Sequence, residues 1–479
     1  MRYLLLATDY DGTLAKHGQV SSGTLATLDR VLASGRKLIL VTGRHLPDLK
    51  NVFPHLDRFA RVVAENGGLL YDPANNEELP LSEPPPESLL TLLRERGVPF
   101  EVGRSVIATW EPHQTVVVDA LRDLRLDSHI IFNKGAVMVL PSGVNKGSGL
   151  MAALKSLEVS PHNVVGTGDA ENDHALLASC EFGVAVANAV PALKERADLV
   201  TVAENGRGVE ELIDQLLETD LVSYDSRLLR HSISLGTALD SNAEQIRIGP
   251  CRNSLLIAGA SASGKSTVAA GILEQLTEKR YQFCVVDPEG DYENLAGALS
   301  FGTAQERPDP NAVLNALRMP ENNVVVNLLS IPMSDRPGYF SQLLTRLIEL
   351  RAQTARPHWI IIDEAHHLMP KSWSPAASTL SPALGGMILI TVHPEQISAA
   401  PLEAVGGIIT TGKSALDALS GFATAIAAET PSASKTPLQP GEALIWFPST
   451  SSRATLVKTV QARAERKLHR RRKTSKTIC

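Results

Sequence analysis

The chain has 479 residues, enough for two or three domains with full cores, and its apolar and charged fractions are those of an ordinary globular protein. A formal net charge of −6 gives no global attraction to nucleic acid, and four scattered cysteines without CxxC spacing argue against a disulfide framework or a zinc site and fit a reducing cytosol. The apolar start Met1–Ala7 is too short for a signal peptide and no stretch reaches the ~20 apolar residues of a membrane span, so a cytoplasmic protein without a span is expected. Residues 1 to about 215 alternate short apolar runs with helical patterns, the rhythm of a parallel α/β sheet. Strands are expected at Tyr3–Thr8, Lys37–Val41, Arg61–Ala64, Asn163–Val165 and Gly183–Val186, bounded by Gly, Asp or Asn. Pro80 and Pro84-Pro85-Pro86 break this rhythm. The stretch 81–140 then reads as a small inserted α+β cap, in the order helix–strand–helix–strand–strand, within a core of 1–80 and 141–215. Signals weaken over 216–245, the expected linker. A second α/β series occupies 246–460, and a basic tail follows at 461–479.

The first strand delivers Asp9-Tyr10-Asp11-Gly12-Thr13-Leu14. Residues two apart project to the same side of a strand, and two carboxylates held together divide into a nucleophile and a general acid/base. A solvated strand-end turn would show the same six residues, so the decision rests on three further segments. Leu38–Val41 ends in Thr42-Gly43-Arg44, a hydroxyl and an N–H placed for phosphoryl oxygens. Lys146, in Gly143-Val144-Asn145-Lys146-Gly147, brings a point charge for the same oxygens. The strand at Asn163–Gly166 leads into Gly168-Asp169-Ala170-Glu171-Asn172-Asp173, whose carboxylates four apart can converge on a hard Mg²⁺ ion.

With these four segments in this order, residues 1–215 resemble the haloacid dehalogenase-like hydrolases. The resemblance implies a Rossmann-like doubly wound sheet with its chemistry at the strand ends. It further implies that Asp9 attacks phosphorus, that Asp11 protonates the leaving oxygen and then activates water, and that Thr42 and Lys146 clamp the phosphoryl group. Mg²⁺ would be held by Asp9, the Asp11 carbonyl, Asp169 and Asp173, with Asn172 in support. About thirty residues separate Asp11 from Thr42, and about a hundred separate Arg44 from Lys146, so the insertion falls in the second interval. That spacing, with Ala64-Glu65-Asn66-Gly67-Gly68 and Ala185-Val186-Ala187-Asn188-Ala189, resembles the Cof-like subgroup. The subgroup acts on sugar phosphates, phosphoglycolate and similar small metabolites. Trp110, Glu111, His113, Asn133 and Lys134 are candidate lid contacts to such a substrate.

In the second half, the strand Ser254–Ala258 runs into Gly259-Ala260-Ser261-Ala262-Ser263-Gly264-Lys265-Ser266 and a helical Thr267–Leu276. A glycine-rich loop between strand and helix cradles phosphates with successive N–H groups. Gly259, Ser263, Gly264, Lys265, Ser266 and Thr267 are the expected ATP contacts, with Lys265 on the β- and γ-phosphates and Ser266 on Mg²⁺. The isoleucine strand before Asp363-Glu364 brings Asp363 to the metal and offers Glu364 as the base for water. Phe283–Asp287, running into Pro288-Glu289-Gly290-Asp291-Tyr292, and Met387–Thr391 are further strands. This set resembles the HerA/FtsK-like branch of P-loop ATPases. The resemblance implies a ring hexamer and an arginine from a neighbouring subunit, for which Arg351 and Arg453 are candidates. One departure is the lack of a Thr-Gln pair after the sensor strand, where only Thr391 and a later Gln396 occur. A two-lobed DEAH helicase fails on length, since only about 115 residues follow Glu364.

The basic run Arg463–Lys473 suits a phosphate backbone or an acidic surface, or simple solvation, without aromatic residues for base stacking. The expected object is a Mg²⁺-dependent phosphomonoesterase for a sugar phosphate or similar metabolite, fused to an ATPase. The alternatives are a nucleic-acid motor carrying a phosphatase, a kinase–phosphatase pair, and a nucleotide-gated assembly module.

Overall fold

The computed structural model describes residues 1–133, 135–240, 243–249, 254–374, 385–433, 437–460 and 462. Lys134, the side chain of Asn133 and the basic run from Arg463 lie outside the described residues. The chain divides into two compact units, Met1–Arg227 and Leu228–Cys479.

The first unit opens with strands β1 (Leu5–Asp9), β2 (Lys37–Val41), β3 (Arg61–Ala64), β4 (Leu69–Asp72) and β5 (Glu77–Pro80). The inserted segment adds β6 (Glu101–Val102), β7 (Ile107–Trp110), β8 (Ser128–Asn133) and β9 (Ala136–Pro141), and the chain then returns through β10 (Val164–Gly168), β11 (Phe182–Ala185) and β12 (Leu199–Val200). Eight strands form one sheet in the order β12-β11-β10-β1-β2-β3-β4-β5, parallel from β12 to β3 and antiparallel beyond. From β1 the chain builds outward to β2 and β3 on one side, and later to β10, β11 and β12 on the other. The order therefore reverses between β1 and β10, where such sheets open a crevice at their carboxyl ends. All five residues of β1 are buried, as a central strand covered on both faces requires. Leu150, Ala153 and Leu154 of the helix Lys146–Ser156 close one face over Leu5, Ala7, Ile39 and Val41. Burying such leucines contributes about 1.5–3 kcal/mol each.

The insertion forms a separate antiparallel sheet, β6-β7-β9-β8, whose one face carries the helices Glu87–Glu95 and Gln114–Asp123. Leu89, Leu93, Val117 and Ala120 of those helices pack on Ile107 and Val139. It has one strand more than its sequence pattern offered, the two-residue β6.

Between residues 216 and 245 lie the last turn of the helix Asn205–Thr219, two 3₁₀ turns, and the strand β13 (Ile233–Ala238). The second unit continues with β14 (Gln245–Ile248), β15 (Ser254–Gly259), β16 (Phe283–Asp287), β17 (Ala298–Phe301), β18 (Asn323–Asn327) and β19 (Trp359–Ile362). It ends with β20 (Met387–Thr391), β21 (Val405–Thr411), β22 (Glu442–Trp446) and β23 (Thr455–Thr459). The order is β14-β13-β23-β22-β21-β15-β20-β19-β16-β18-β17, parallel from β21 to β17 and antiparallel on the other side. The weak signal over 216–245 has a physical origin. β13 intersperses Ser, Gly and Thr among its apolar residues, and it is held by β14 on one side and by β23, from the far end of the chain, on the other.

Candidate functional site

In the first unit, sheet register brings four loops to one edge. Asp9 pairs with Val41, the residue before Thr42, and Thr8 pairs with Thr167, two before Asp169. Lys146 is the first residue of its helix, set by Asn145, which caps that helix by accepting from Ser148 N. A cation at a helix N-terminus opposes the dipole, so its position is bought by its partners. Lys146 Nζ donates to Asp9 Oδ1 and to Asp173 Oδ1, each at 2.6 Å. All three side chains are buried. Asp173 Oδ2 accepts from the N–H groups of Asp169 and Ala170 at 2.9 and 3.0 Å, and Asp169 Oδ1 accepts from Thr13 Oγ1 at 3.3 Å.

Burial pushes the Asp9 carboxyl up to about 8, against the pull of Lys146 and with the push of Asp173 and Asp169. Burial alone would lower Lys146, but Asp173 and Asp9 outweigh it and hold the ammonium above the usual lysine range. Three carboxylates against one ammonium leave the cluster short of positive charge. Oxygen atoms of Asp9, Asp169 and Asp173 lie within 4.8 Å of one another. Hard oxygen donors with a charge deficit fit Mg²⁺.

Asp11 is not in that cluster. Its carboxylate accepts from Arg44 Nε at 2.6 Å and from the second guanidinium arm at 2.8 Å, and Arg44 also reaches Asp48 at 2.6 Å. Thr42 Oγ1 accepts from Arg44 N at 3.1 Å. The turn after β3 adds residues to which sequence reasoning gives no role. Glu65 and Asn66 are buried non-glycine residues with φ of 54° and 52°. Glu65 accepts from the N–H groups of Arg104 and Ser105 and lies 3.7 Å from His45 Nδ1. Asn172 Nδ2 donates to Asn66 Oδ1 at 2.8 Å. The signal that could have found them is the segment Ala64–Gly68, but their side-chain contacts are long-range. Of the lid candidates, Trp110 is 48% exposed on β7, Glu111 is exposed and His113 half-buried.

In the second unit, the loop after β15 leads directly into the helix Lys265–Glu278, capped by Gly264. Ser263 Oγ lies 2.7 Å from Thr411 Oγ1 of β21. A Cβ on Gly259 would stand 2.5 Å from Thr411 O, so only glycine fits there. Lys265 Nζ donates to Ala260 O at 3.0 Å, folded back across the loop. Burial lowers Lys265, opposed by Glu364, Asp363 and Glu289. Ser266 is half-buried and Thr267 exposed in the first helical turn. Asp363 follows β19, and burial with Glu364 and Asp287 beside it pushes its carboxyl up to about 8. Glu364 takes a left-handed backbone, φ 40° and ψ 51°, at a cost of about 1–3 kcal/mol. His366 Nδ1 stands 3.1 Å from Thr391 Oγ1 and 3.4 Å from Glu364 Oε2.

Burial pushes the His366 imidazole down to about 4, helped by His367 and His393. Asp287 does not join the nucleotide loop: its carboxylate accepts from the N–H groups of Glu289, Gly290, Asp291 and Tyr292. Arg351 donates to the carbonyls of Pro357 and Gly385, which precede β19 and β20, at the sheet edge opposite the phosphate loop. Arg453 is exposed. No described helix is long and apolar enough to cross a membrane.

A family profile described as haloacid dehalogenase-like hydrolase matches residues 6–104 and 119–213, and one described as AAA domain matches 251–394. Phosphoglycolate phosphatase 2 of Saccharolobus solfataricus is 32% identical over 221 residues, covering 45% of this chain and 92% of that protein. Phosphoglycolate phosphatase of Methanothermobacter thermautotrophicus is 32% identical over 221 residues, covering 44% and 98%. A solved haloacid dehalogenase-like hydrolase from Bacteroides thetaiotaomicron is 20% identical with a TM-score of 0.40, covering 45% of this chain and 99% of its own.

Proposed function

The chain belongs to the haloacid dehalogenase-like hydrolases, and from that premise we propose that its first unit is a Mg²⁺-dependent phosphomonoesterase of the Cof-like kind, acting on a small phosphorylated metabolite. The observation that carries this reading is the buried set Asp9–Lys146–Asp173, with Asp169 beside it, in the crevice where the strand order reverses. Asp9 attacks phosphorus, and the bond to the leaving oxygen breaks as Asp11 donates a proton to it. Asp11 then takes a proton from water, which releases phosphate from the aspartyl-phosphate. Lys146 and Thr42 hold the phosphoryl oxygens. Asp9, Asp169, Asp173 and the Asp11 carbonyl would hold Mg²⁺, which would supply the positive charge that lets an anionic carboxylate approach an anionic ester.

Phosphoglycolate, the substrate in the names of the two relatives, and the sugar phosphates are the first candidates. The second unit binds and hydrolyses ATP in this reading, with Lys265 and Ser266 on the phosphates and metal and Glu364 activating water. A HerA-like branch, and with it a ring assembly, is the finer form of the same proposal. The experiment is Mg²⁺-dependent phosphate release across phosphoglycolate, sugar phosphates and nucleoside monophosphates, with Asp9→Asn as blank. Turnover of one small ester, lost in the variant, supports a metabolic phosphatase. No turnover of any member overturns it.

A further inference from the structure

Four pieces of the first site must stand in register for chemistry: the Thr42 loop, the Lys146 helix, the Asp169–Asp173 loop and the lid. The segment Glu65–Asn66–Gly67 touches every one of them, although nothing in the mechanism uses it. Asn66 N donates to Thr42 O, and Glu65 N donates to Arg44 O, both at 3.0 Å. A Cβ on Gly67 would stand 2.0 Å from Asn145 O, so the turn lies flat against the residue before Lys146. The Asn66 side-chain amide accepts from Asn172 in the metal loop at 2.8 Å and points its own Nδ2 at Met138 Sδ in the lid at 2.9 Å. The Glu65 carboxylate takes the Arg104 and Ser105 N–H groups, in the turn between β6 and β7 of the lid sheet, at 3.0 and 2.9 Å. Ser105 Oγ answers with a bond to Gly68 O at 2.9 Å.

A turn needed only to reverse the chain would be satisfied by its own backbone. It would have no reason to bury a carboxylate and an amide, or to hold two consecutive non-glycine residues at left-handed φ. The buried groups have partners only because the lid and the loops both supply them. We propose that Asn66 is a positioning residue that couples seating of the lid to the arrangement of the metal loop, with Glu65 anchoring the β6–β7 turn of the lid. This rests on the phosphatase reading of the site. Register places Ala108 on one side of Met138 and Ile131 on the other, so what Asn66 grips is the middle of an apolar row on the sheet face away from the lid helices. An occupied phosphate site and a seated lid thereby favour one another.

The test is hydrogen exchange on the full chain, with and without Mg²⁺ and vanadate as a phosphate mimic. It reads the lid segments 102–110 and 136–141 and the metal loop 164–174. In the parent protein vanadate is expected to slow exchange at least tenfold in both. In Asn66→Ala the loop still responds and the lid no longer does, while β1 and the helix Lys146–Ser156 exchange as before without vanadate. Should Asn66→Ala fail to fold, Met138→Ala removes the lid half of the link alone and is expected to give the same uncoupling. Lid protection that follows vanadate in these variants overturns the proposal, as does a parent protein whose loop responds without its lid. A parent protein whose loop ignores vanadate overturns the phosphatase reading itself, and this inference with it.

Discussion

Arg44 grips Asp11 by two guanidinium arms, at 2.6 and 2.8 Å, rather than leaving that carboxylate beside Asp9, Asp169 and Asp173. The planar fork fixes the rotamer of the group that, in the proposed reaction, gives a proton to the leaving oxygen, which a lysine cannot do. Arg44→Lys is therefore expected to lower kcat for an alkyl phosphate about 10–100-fold, the equivalent of about 1.5–3 kcal/mol. An aryl phosphate, whose leaving group departs without a proton, is expected to lose far less. Equal losses for the two esters would show that Arg44 does not act through Asp11.

The two proposed phosphate-handling sites carry separate residues on separate sheets. Asp9→Asn is expected to abolish ester hydrolysis and spare ATP hydrolysis, and Lys265→Ala to do the reverse. Parallel assays of inorganic phosphate from both substrates decide it. A variant that lowers both rates would mean that turnover in one unit requires the other.

His45 and Glu65 form an ion pair at 3.7 Å. Glu65 holds His45 above the usual histidine range against burial, with Glu101 and Asp48 adding to it. Burial alone would raise Glu65, but His45 and the Arg104 and Ser105 N–H groups outweigh it and hold it below the usual range. The stabilisation from Glu65 is present above about pH 4.5 and is lost as pH falls through its depressed value. That from His45 is present below about pH 6.5 and is lost as pH rises through its elevated value. His45→Gln is thus expected to cost about 1 kcal/mol near pH 5.5 and little above pH 9. Hydrogen exchange of β3 and β4, which reports the first unit alone, is the measurement. A cost that grows toward pH 9 would contradict the pairing.

Gly67 and Gly97 both hold positive φ, 104° and 68°, but only Gly67 is packed against another backbone. A Cβ on Gly97 would have nothing within 4 Å, so Gly97→Ala is expected to cost about 1 kcal/mol for its φ alone. Gly67→Ala must displace Asn145 and with it the start of the Lys146 helix, at about 3 kcal/mol or more. Denaturant midpoints of the first unit compare the two. Similar costs would mean the Lys146 helix can move freely.

Much of this was legible in advance because it is local. The apolar strands ending in Asp9, Thr42, Asp169, Gly259 and Asp363 announce an α/β fold of two sheets, and the fold bears that out. Strand ends fell within three residues of expectation: Tyr3–Thr8 is Leu5–Asp9, and Asn163–Val165 is Val164–Gly168. What stayed hidden is what depends on partners far along the chain. β13 joins the rest of its sheet through β23, which comes from the far end of the chain. Glu65 and Asn66 enter the sequence only as part of a subgroup signature, and their roles depend on residues 104, 138 and 172 coming into contact with them. Asp11 and Asp9 look equivalent in sequence, and what separates their environments is the burial of Asp9 against Lys146 and the grip of Arg44 on Asp11.

The hydroxyl pair Ser263–Thr411 ties the phosphate loop to a neighbouring strand before any nucleotide arrives. With Lys265 already folded over the same loop, most of the ordering that a bound phosphate demands is done in advance. An incoming nucleotide then has only to displace one carbonyl from the lysine, so little conformational entropy is surrendered on association. Affinity at this site should accordingly respond more to the charge of the ligand than to its power to reshape the loop.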